Sequence, residues 1–124
     1  MAVNLPEFEK LVEDAMEGLP PSIQDLLENV TVEVAHFPTR EQMLANDVPN
    51  KWSLHGLYEG VPLTQRGSAY GMVLPDRITI FKEPLEAACD SEDALVRRVQ
   101  RTVLHEVAHH FGISDERLEE MGRY

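Results

Sequence analysis

Residues 105–109 are His-Glu-Val-Ala-His, a spacing that can hold a metal ion. On an α-helix, residues four apart lie on one face and one turn apart, so the imidazoles of His105 and His109 can converge on one cation. Neutral imidazoles with nitrogen–metal distances of about 2.0–2.1 Å are typical ligands of Zn²⁺. Glu106 lies next to the pair and can act as general base on a water at the metal, which is the chemistry of a hydrolysis.

A catalytic zinc has three protein ligands and one open position, so a third donor must come from elsewhere. Gly112 can adopt a positive φ, which lets the chain leave the helix and turn back under the metal. Asp115 is then placed to supply a carboxylate, although it can instead cap a final helix, a role for which Ser114 competes. Glu119 and Glu120 are alternative third ligands by charge. We prefer Asp115, because a downstream Glu ligand usually comes from a separate later helix.

These side chains require a long helix, and the sequence predicts one from Ser91 as N-cap to Gly112 as terminator. Apolar residues recur along one side of it, namely Leu95, Val96, Val99, Val103, Val107 and Phe111. On a helical wheel, His105 and His109 point roughly 140–160° away from the centre of this apolar arc. They are therefore not core histidines. His110 points toward the apolar side, and we interpret it as structural.

The remaining patterns predict one α+β domain over residues 1–124. The predicted elements are helices over 5–18 and 22–28, strands over 30–37 and 76–81, the long helix over 91–112, and a short last helix from 114 or 115 to about 121. Glycine and proline between 39 and 68 favour loops with an edge strand or hairpin. The extended segment 57–63 can pair with a peptide strand as a sheet edge.

Composition excludes several classes of partner. The chain has 124 residues and a formal net charge of −11, from 22 Asp and Glu against 11 Lys and Arg. A surface this acidic repels phosphate, so we expect no nucleic-acid partner and no binding to an anionic membrane. Arg97, Arg98 and Arg101 form a small basic patch on the polar side of the long helix. We expect it to offset the acidic surroundings or to pair with acids near the N-terminus.

Three features that the sequence lacks indicate the cellular location of the protein. The single cysteine, Cys89, excludes an internal disulfide framework, which fits a reducing cytosol. Residues 1–20 contain neither the basic region nor the apolar region that follow each other in a signal peptide. No stretch of the chain approaches the 18 or so consecutive apolar residues that a membrane span needs. We therefore expect a cytoplasmic protein.

The segment HEVAHHFGISD (105–115) matches the metzincin pattern H-E-x-x-H-x-x-G-x-x-H/D. Together with LPPSIQDLLENVTVEV, GLYEGVPLTQR, LPDRITIFKEPLE and TVLHEVAHHFGISDERLEEMG, it makes nearly the whole chain resemble the short bacterial family of minimal zincin-like metallopeptidases. The resemblance implies a metzincin-type α+β fold with a small sheet, a long active-site helix and a short C-terminal helix. It also implies Zn²⁺ held by His105, His109 and Asp115, with Glu106 as the base. Met121 is the candidate for the Met-turn that larger metzincins have beneath the zinc.

The function we expect is zinc-dependent hydrolysis of peptide bonds in a peptide or protein substrate. The alternative is a metal-binding or peptide-binding module of zincin fold with little or no catalytic activity. A tyrosine can steady the oxyanion of such a reaction, and Tyr58 and Tyr124 are candidates that we do not assign to the site.

Overall fold

The predicted helices and strands occur in the predicted order, and two further short helices, over 40–45 and 82–88, lie among them. A computed structural model describes residues 2–60 and 76–122. Within them lie helices α1 (Leu5–Glu17), α2 (Pro21–Leu26), α3 (Arg40–Ala45), α4 (Lys82–Ala88), α5 (Glu92–Phe111) and α6 (Asp115–Gly122), and strands β1 (Val30–Ala35), β2 (Gly56–Glu59) and β3 (Asp76–Phe81). The predicted α+β class, the long helix and the short last helix are confirmed. Of the predicted extended segment 57–63, the last three residues lie outside the described part.

Within the described residues, a three-stranded sheet in the order β1-β3-β2 supports the helices. Strand β3 runs parallel to β1 and antiparallel to β2. Its central position encloses Ile78 and Ile80, whose side chains are fully buried. Strand β2, with the sequence GLYE, is an outer strand, as the sequence predicts for this region. The sheet therefore presents one outer edge close to the long helix that carries the histidines.

The buried face of α5 packs on the sheet and on α1. The apolar residues at three- and four-residue spacing are enclosed, with Leu95, Val99, Val103 and Val107 fully buried. Phe8 and Ala15 of α1 belong to the same core. Phe111 differs from the expectation, since 42% of its surface is exposed and its ring contacts Tyr58 edge-on at 5.9 Å. Among the described residues, Phe111 therefore lies outside the buried core.

The ends of α5 and α6 are set by local capping. The Ser91 side chain accepts the N–H of Ala94 at 3.1 Å and begins α5. Gly112 ends it in the left-handed conformation, with φ 66°, which glycine adopts without steric cost. Two residues later the hydroxyl of Ser114 accepts the N–H of Arg117 at 3.1 Å and caps α6. The chain thus reverses over a few residues between the two helices.

A buried ion pair joins α4 to the N-terminal segment. The ammonium of Lys82 lies 2.9 Å from Glu86 Oε1, and both residues are 5% exposed. The other carboxylate oxygen of Glu86 accepts the backbone N–H of Val3 at 2.8 Å. Lys82 also lies 5.9 Å from the centre of the Phe8 ring. This cluster therefore fixes the start of α1 against α4.

In residues 2–60 and 76–122, no helix has both the length and the apolar character needed to cross a lipid bilayer.

Candidate metal centre

His105 and His109 lie on the exposed face of α5, as the helical spacing predicts. Their ring centroids are 5.3 Å apart and the rings are tilted by 41°. Two imidazoles on one tetrahedral zinc, with nitrogen distances of about 2.0–2.1 Å, place their centroids roughly 5 Å apart. The pair thus fits a shared zinc ion, and both rings are open to solvent on the side away from the core.

The predicted third ligand, Asp115, falls outside the described side chains. Among the side chains that the structure does describe, no group of three His, Cys, Asp or Glu residues is arranged to hold a metal ion. Asp115 is the first residue of α6, and its side chain is not among those described; the same holds for Met121, the candidate for a Met-turn. The N-cap of α6 is Ser114, so Asp115 is not needed for that role.

The two alternative acids lie further along α6. Glu119 and Glu120 are both exposed, and Glu120 forms an ion pair with Arg117 at 3.2 Å. Such an exposed pair has little net strength, so it does not by itself remove Glu120 as a ligand. As described, however, neither Glu119 nor Glu120 completes a group of three with His105 and His109.

Glu106 is positioned by the backbone of the neighbouring outer strand. Its Oε1 accepts the N–H of Tyr58 at 3.2 Å. Alternate residues of an antiparallel strand direct their backbone groups to opposite sides. Because the carbonyl of His55 accepts the N–H of Phe81 from β3 at 2.9 Å, the N–H of Tyr58 points away from β3 and toward α5. The carboxylate of Glu106 is therefore held at the outer edge of β2, beside the histidine pair.

Tyr58 and His110 form a stacked pair over the start of β3. Their ring centroids are 3.9 Å apart, with the planes 22° from parallel. The Tyr58 hydroxyl donates to Asp76 Oδ2 at 2.8 Å, and His110 Nε2 lies 3.7 Å from the same oxygen. His110 thus has a packing role at the surface, where it covers Tyr58. The Tyr58 hydroxyl is directed to Asp76, and Tyr124 lies outside the described residues.

Next to the histidine pair lies a concave surface that we call the basic recess. Its volume is about 370 Å³, and it is lined by residues 53–56 and by one face of α5, which contributes Arg98, Arg101, Thr102, His105 and Glu106. His55, in the wall of the recess, is about half buried; burial first, and the charge of Arg98 second, lower the pKa of its imidazole.

The expected pairing of Arg97, Arg98 and Arg101 with acids near the N-terminus is not observed. Among the ion pairs between described residues, none involves these three arginines. The basic patch therefore divides, since Arg98 and Arg101 line the recess and Arg97 does not.

Two of these features carry no signal in the sequence. The contact to Glu106 comes from a backbone N–H, which every residue except proline possesses. The basic recess joins α5 to a loop more than 40 residues earlier in the chain. The sequence shows that the arginines share one face of the helix, but it does not show which loop lies opposite that face.

The family profile described as zincin-like metallopeptidase matches residues 27–123, more than three quarters of the chain. The protein therefore belongs to the zincin-like metallopeptidase family, and the resemblance noted from its motifs is confirmed. Zinc binding is a general property that this membership implies. No curated protein matches the chain.

Proposed function

We propose that the protein is a zinc-dependent peptidase in which His105, His109 and Asp115 hold the metal and Glu106 is the general base. The observation that carries this proposal is the position of Glu106, whose carboxylate lies beside the exposed histidine pair and is held by the N–H of Tyr58 at 3.2 Å. Membership of the zincin-like metallopeptidase family supports the same reaction class.

When bound, zinc supplies a Lewis acid that acidifies a water and polarises the carbonyl of a peptide bond. Glu106 accepts the proton of the attacking water and returns it to the nitrogen of the leaving amine, so that the peptide bond breaks with no net proton change. Oε1 remains anchored to the Tyr58 N–H during this transfer. No hydrogen bond among the described residues involves Oε2, which makes it the oxygen suited to carry the proton.

The outer edge of β2 supports a peptide or protein as substrate. An extended peptide added along this edge by backbone hydrogen bonds lies next to Glu106, because the carboxylate contacts the same strand. We include a cytoplasmic site of action in the proposal, based on the single cysteine of the chain.

Replacing the base tests the catalytic part of the proposal. Glu106→Gln retains an oxygen that can accept the Tyr58 N–H, so we expect the variant to fold and to bind zinc like the parent. Its hydrolysis of a broad peptide library should fall by about 10²–10⁴-fold, the typical contribution of a general base. A zinc-loaded parent that cleaves no peptide, or a variant that cleaves as fast as the parent, contradicts a peptidase with this base. The first result, with peptides still bound, instead favours a binding module of the same fold.

Replacing the acids of α6 tests the ligand set. We expect Asp115→Ala to weaken zinc binding strongly, whereas the matched variant Glu119→Ala should bind zinc as the parent does. The capping hydroxyl of Ser114 is intact in both variants, so the start of α6 is preserved. Undiminished zinc affinity in Asp115→Ala assigns the third position to Glu119, Glu120 or water.

A further inference from the structure

The basic recess is continuous with the candidate metal centre. His105 and Glu106 form one end of its wall, and Arg98 and Arg101 lie further along the same helix. An α-helix rises 1.5 Å per residue, so the two arginines lie about 6 and 10 Å along the axis from His105. An extended peptide advances about 3.3 Å per residue. A group bound by the arginines therefore belongs to a residue two or three positions from a peptide bond at the metal centre.

The charge of the recess is opposite to that of the chain as a whole. The chain carries 22 acidic and 11 basic residues, yet among the described residues that line the recess there are two arginines and one acid, Glu106. Arg98 is half buried, and neither it nor Arg101 has an ion pair within the described part of the chain. Both guanidinium groups can therefore form charge-assisted hydrogen bonds with an anionic ligand.

The loop that closes the recess adds no competing anion. Residues 53–56 contribute Ser53, Leu54, His55 and Gly56, none of which is acidic. Burial first, and the charge of Arg98 second, lower the pKa of the His55 imidazole. The recess is thus a small positive site with hydrogen-bond donors.

We propose that Arg98 and Arg101 bind a carboxylate of the substrate in the basic recess, and so make the protein selective for peptides with an acidic group near the cleaved bond. This inference rests on the proposed function. The two arginines are three residues apart and therefore neighbours on one helix face, and the planar guanidinium matches the two oxygens of a carboxylate. The carboxylate can come from a Glu or Asp side chain or from a free C-terminus.

Paired peptides test the selectivity on the zinc-loaded protein. One pair differs only by Glu against Gln two or three residues from the cleaved bond, and a second pair differs only by a free against an amidated C-terminus. We expect kcat/KM to be about tenfold to a hundredfold higher for the charged member of one pair, the range for hydrogen bonds to charged groups. The pair that shows the preference identifies the source of the carboxylate.

Three variants that each remove one positive charge show which arginines cause the preference for the charged peptide. Arg98→Gln and Arg101→Gln should each bring the ratio of kcat/KM for the charged and the neutral peptide closer to one, mainly by raising KM for the charged peptide. Arg97→Gln removes the same charge from the same helix, outside the recess, and should leave the preference intact. Arg101 is exposed, so Arg101→Gln keeps the test valid if Arg98→Gln fails to fold. Equal cleavage of charged and neutral peptides by the parent overturns the inference and leaves the peptidase proposal standing.

A binding measurement separates failure of the recess from failure of the catalytic proposal. In the metal-free protein, where zinc cannot bind the probe, N-acetyl-glutamate amide should shift the NMR signals of the Arg98 and Arg101 Nε–H groups. N-acetyl-glutamine amide should not shift them. If the charged probe binds but no peptide is cleaved, the recess is supported and the peptidase is not. If neither probe shifts these signals, the inference is wrong.

Discussion

At Gly56 the outer strand β2 closely approaches α5. A Cβ atom at this position would lie 2.6 Å from Cγ2 of Thr102 on α5 and 3.3 Å from the carbonyl oxygen of Thr79 on β3. Carbon atoms in contact are ordinarily about 3.5–4.0 Å apart, so roughly 1 Å of relief is needed. Thr102 cannot easily turn aside, because its hydroxyl donates to the carbonyl of Arg98 at 2.8 Å and fixes its rotamer. Gly56→Ala must therefore push α5 away from β2.

The expected cost follows from this overlap. One extra methyl group in a tightly packed site typically costs about 1–3 kcal/mol. Gly→Ala also stabilises by about 0.4–1 kcal/mol through the unfolded chain, because the backbone loses freedom there. Gly56 does not have a positive φ, so no left-handed strain adds to the balance. We expect a net loss of about 1–2 kcal/mol in the free energy of unfolding, or a fall of roughly 3–8 °C in Tm for a chain of this size.

A double-mutant cycle with Thr102→Ser isolates the contact. Serine lacks Cγ2 but keeps the hydroxyl that bonds to Arg98. In urea unfolding, Gly56→Ala should lose about 1–2 kcal/mol in the parent and less than about 0.5 kcal/mol in the Thr102→Ser background, with unchanged m-values. The control is Gly112→Ala, whose Cβ has no neighbour within 4 Å among the described atoms and should show no coupling to Thr102→Ser. Equal losses for Gly56→Ala in both backgrounds would refute the close approach of β2 to α5.

Three further outcomes follow from contacts described above. Gly112→Ala should lower the free energy of unfolding, measured in urea, by about 1 kcal/mol, because alanine is strained at φ 66°. Gly112→Asn should lower it by less, since asparagine tolerates the left-handed region, and equal losses for the two variants would contradict the left-handed cap. Glu86→Leu should cost about 3 kcal/mol, because it leaves the buried Lys82 ammonium with only the longer contact to Glu83 at 3.8 Å and removes the acceptor of the Val3 N–H. Adding Lys82→Met should restore part of this loss in thermal melts, and no recovery would mean that the unpaired charge is not the cause. Because the pKa of His55 is lowered in the folded protein, the unfolded chain binds the proton more readily, and stability is lost as the pH falls below about 6.5. An NMR titration of His55 in the metal-free protein should show a midpoint below that of a free imidazole. His55→Gln should flatten the dependence of the free energy of unfolding on pH in this range.

The elements that carry the histidines were predictable because they depend on local rules. The four-residue spacing of His105 and His109, the serine cap at one end of α5 and Gly112 at the other all act within a few residues. The alternating valines of β1 likewise predict a strand whose faces differ in burial, whereas the central strand β3 is buried on both faces from Ile78 to Phe81. Family-level similarity then added the zincin fold, which no single element specifies.

The surroundings of the histidines were not predictable because they depend on contacts between distant segments. The N–H of Tyr58 reaches Glu106 only because β2 is the outer strand on the side of α5. Phe111 continues the apolar pattern of its helix, but among the described residues it is partly exposed and contacts the Tyr58 ring. Helical periodicity predicts which way a side chain points and not what it meets.

The short reversal at Gly112 gives metal loading a mechanical consequence. The proposed ligands lie on both sides of it, with two imidazoles on α5 and Asp115 at the start of α6, so a bound ion would cross-link two helices. Leu118 of α6 packs against the core, which means that the last helix is also held by apolar contacts. Because zinc binding and the docking of α6 onto the core are then linked equilibria, bound zinc also stabilises the docked helix. Removal of zinc by a chelator should therefore loosen α6 before it affects the sheet. Amide exchange in residues 115–122 would therefore report on the metal content of the protein without any substrate.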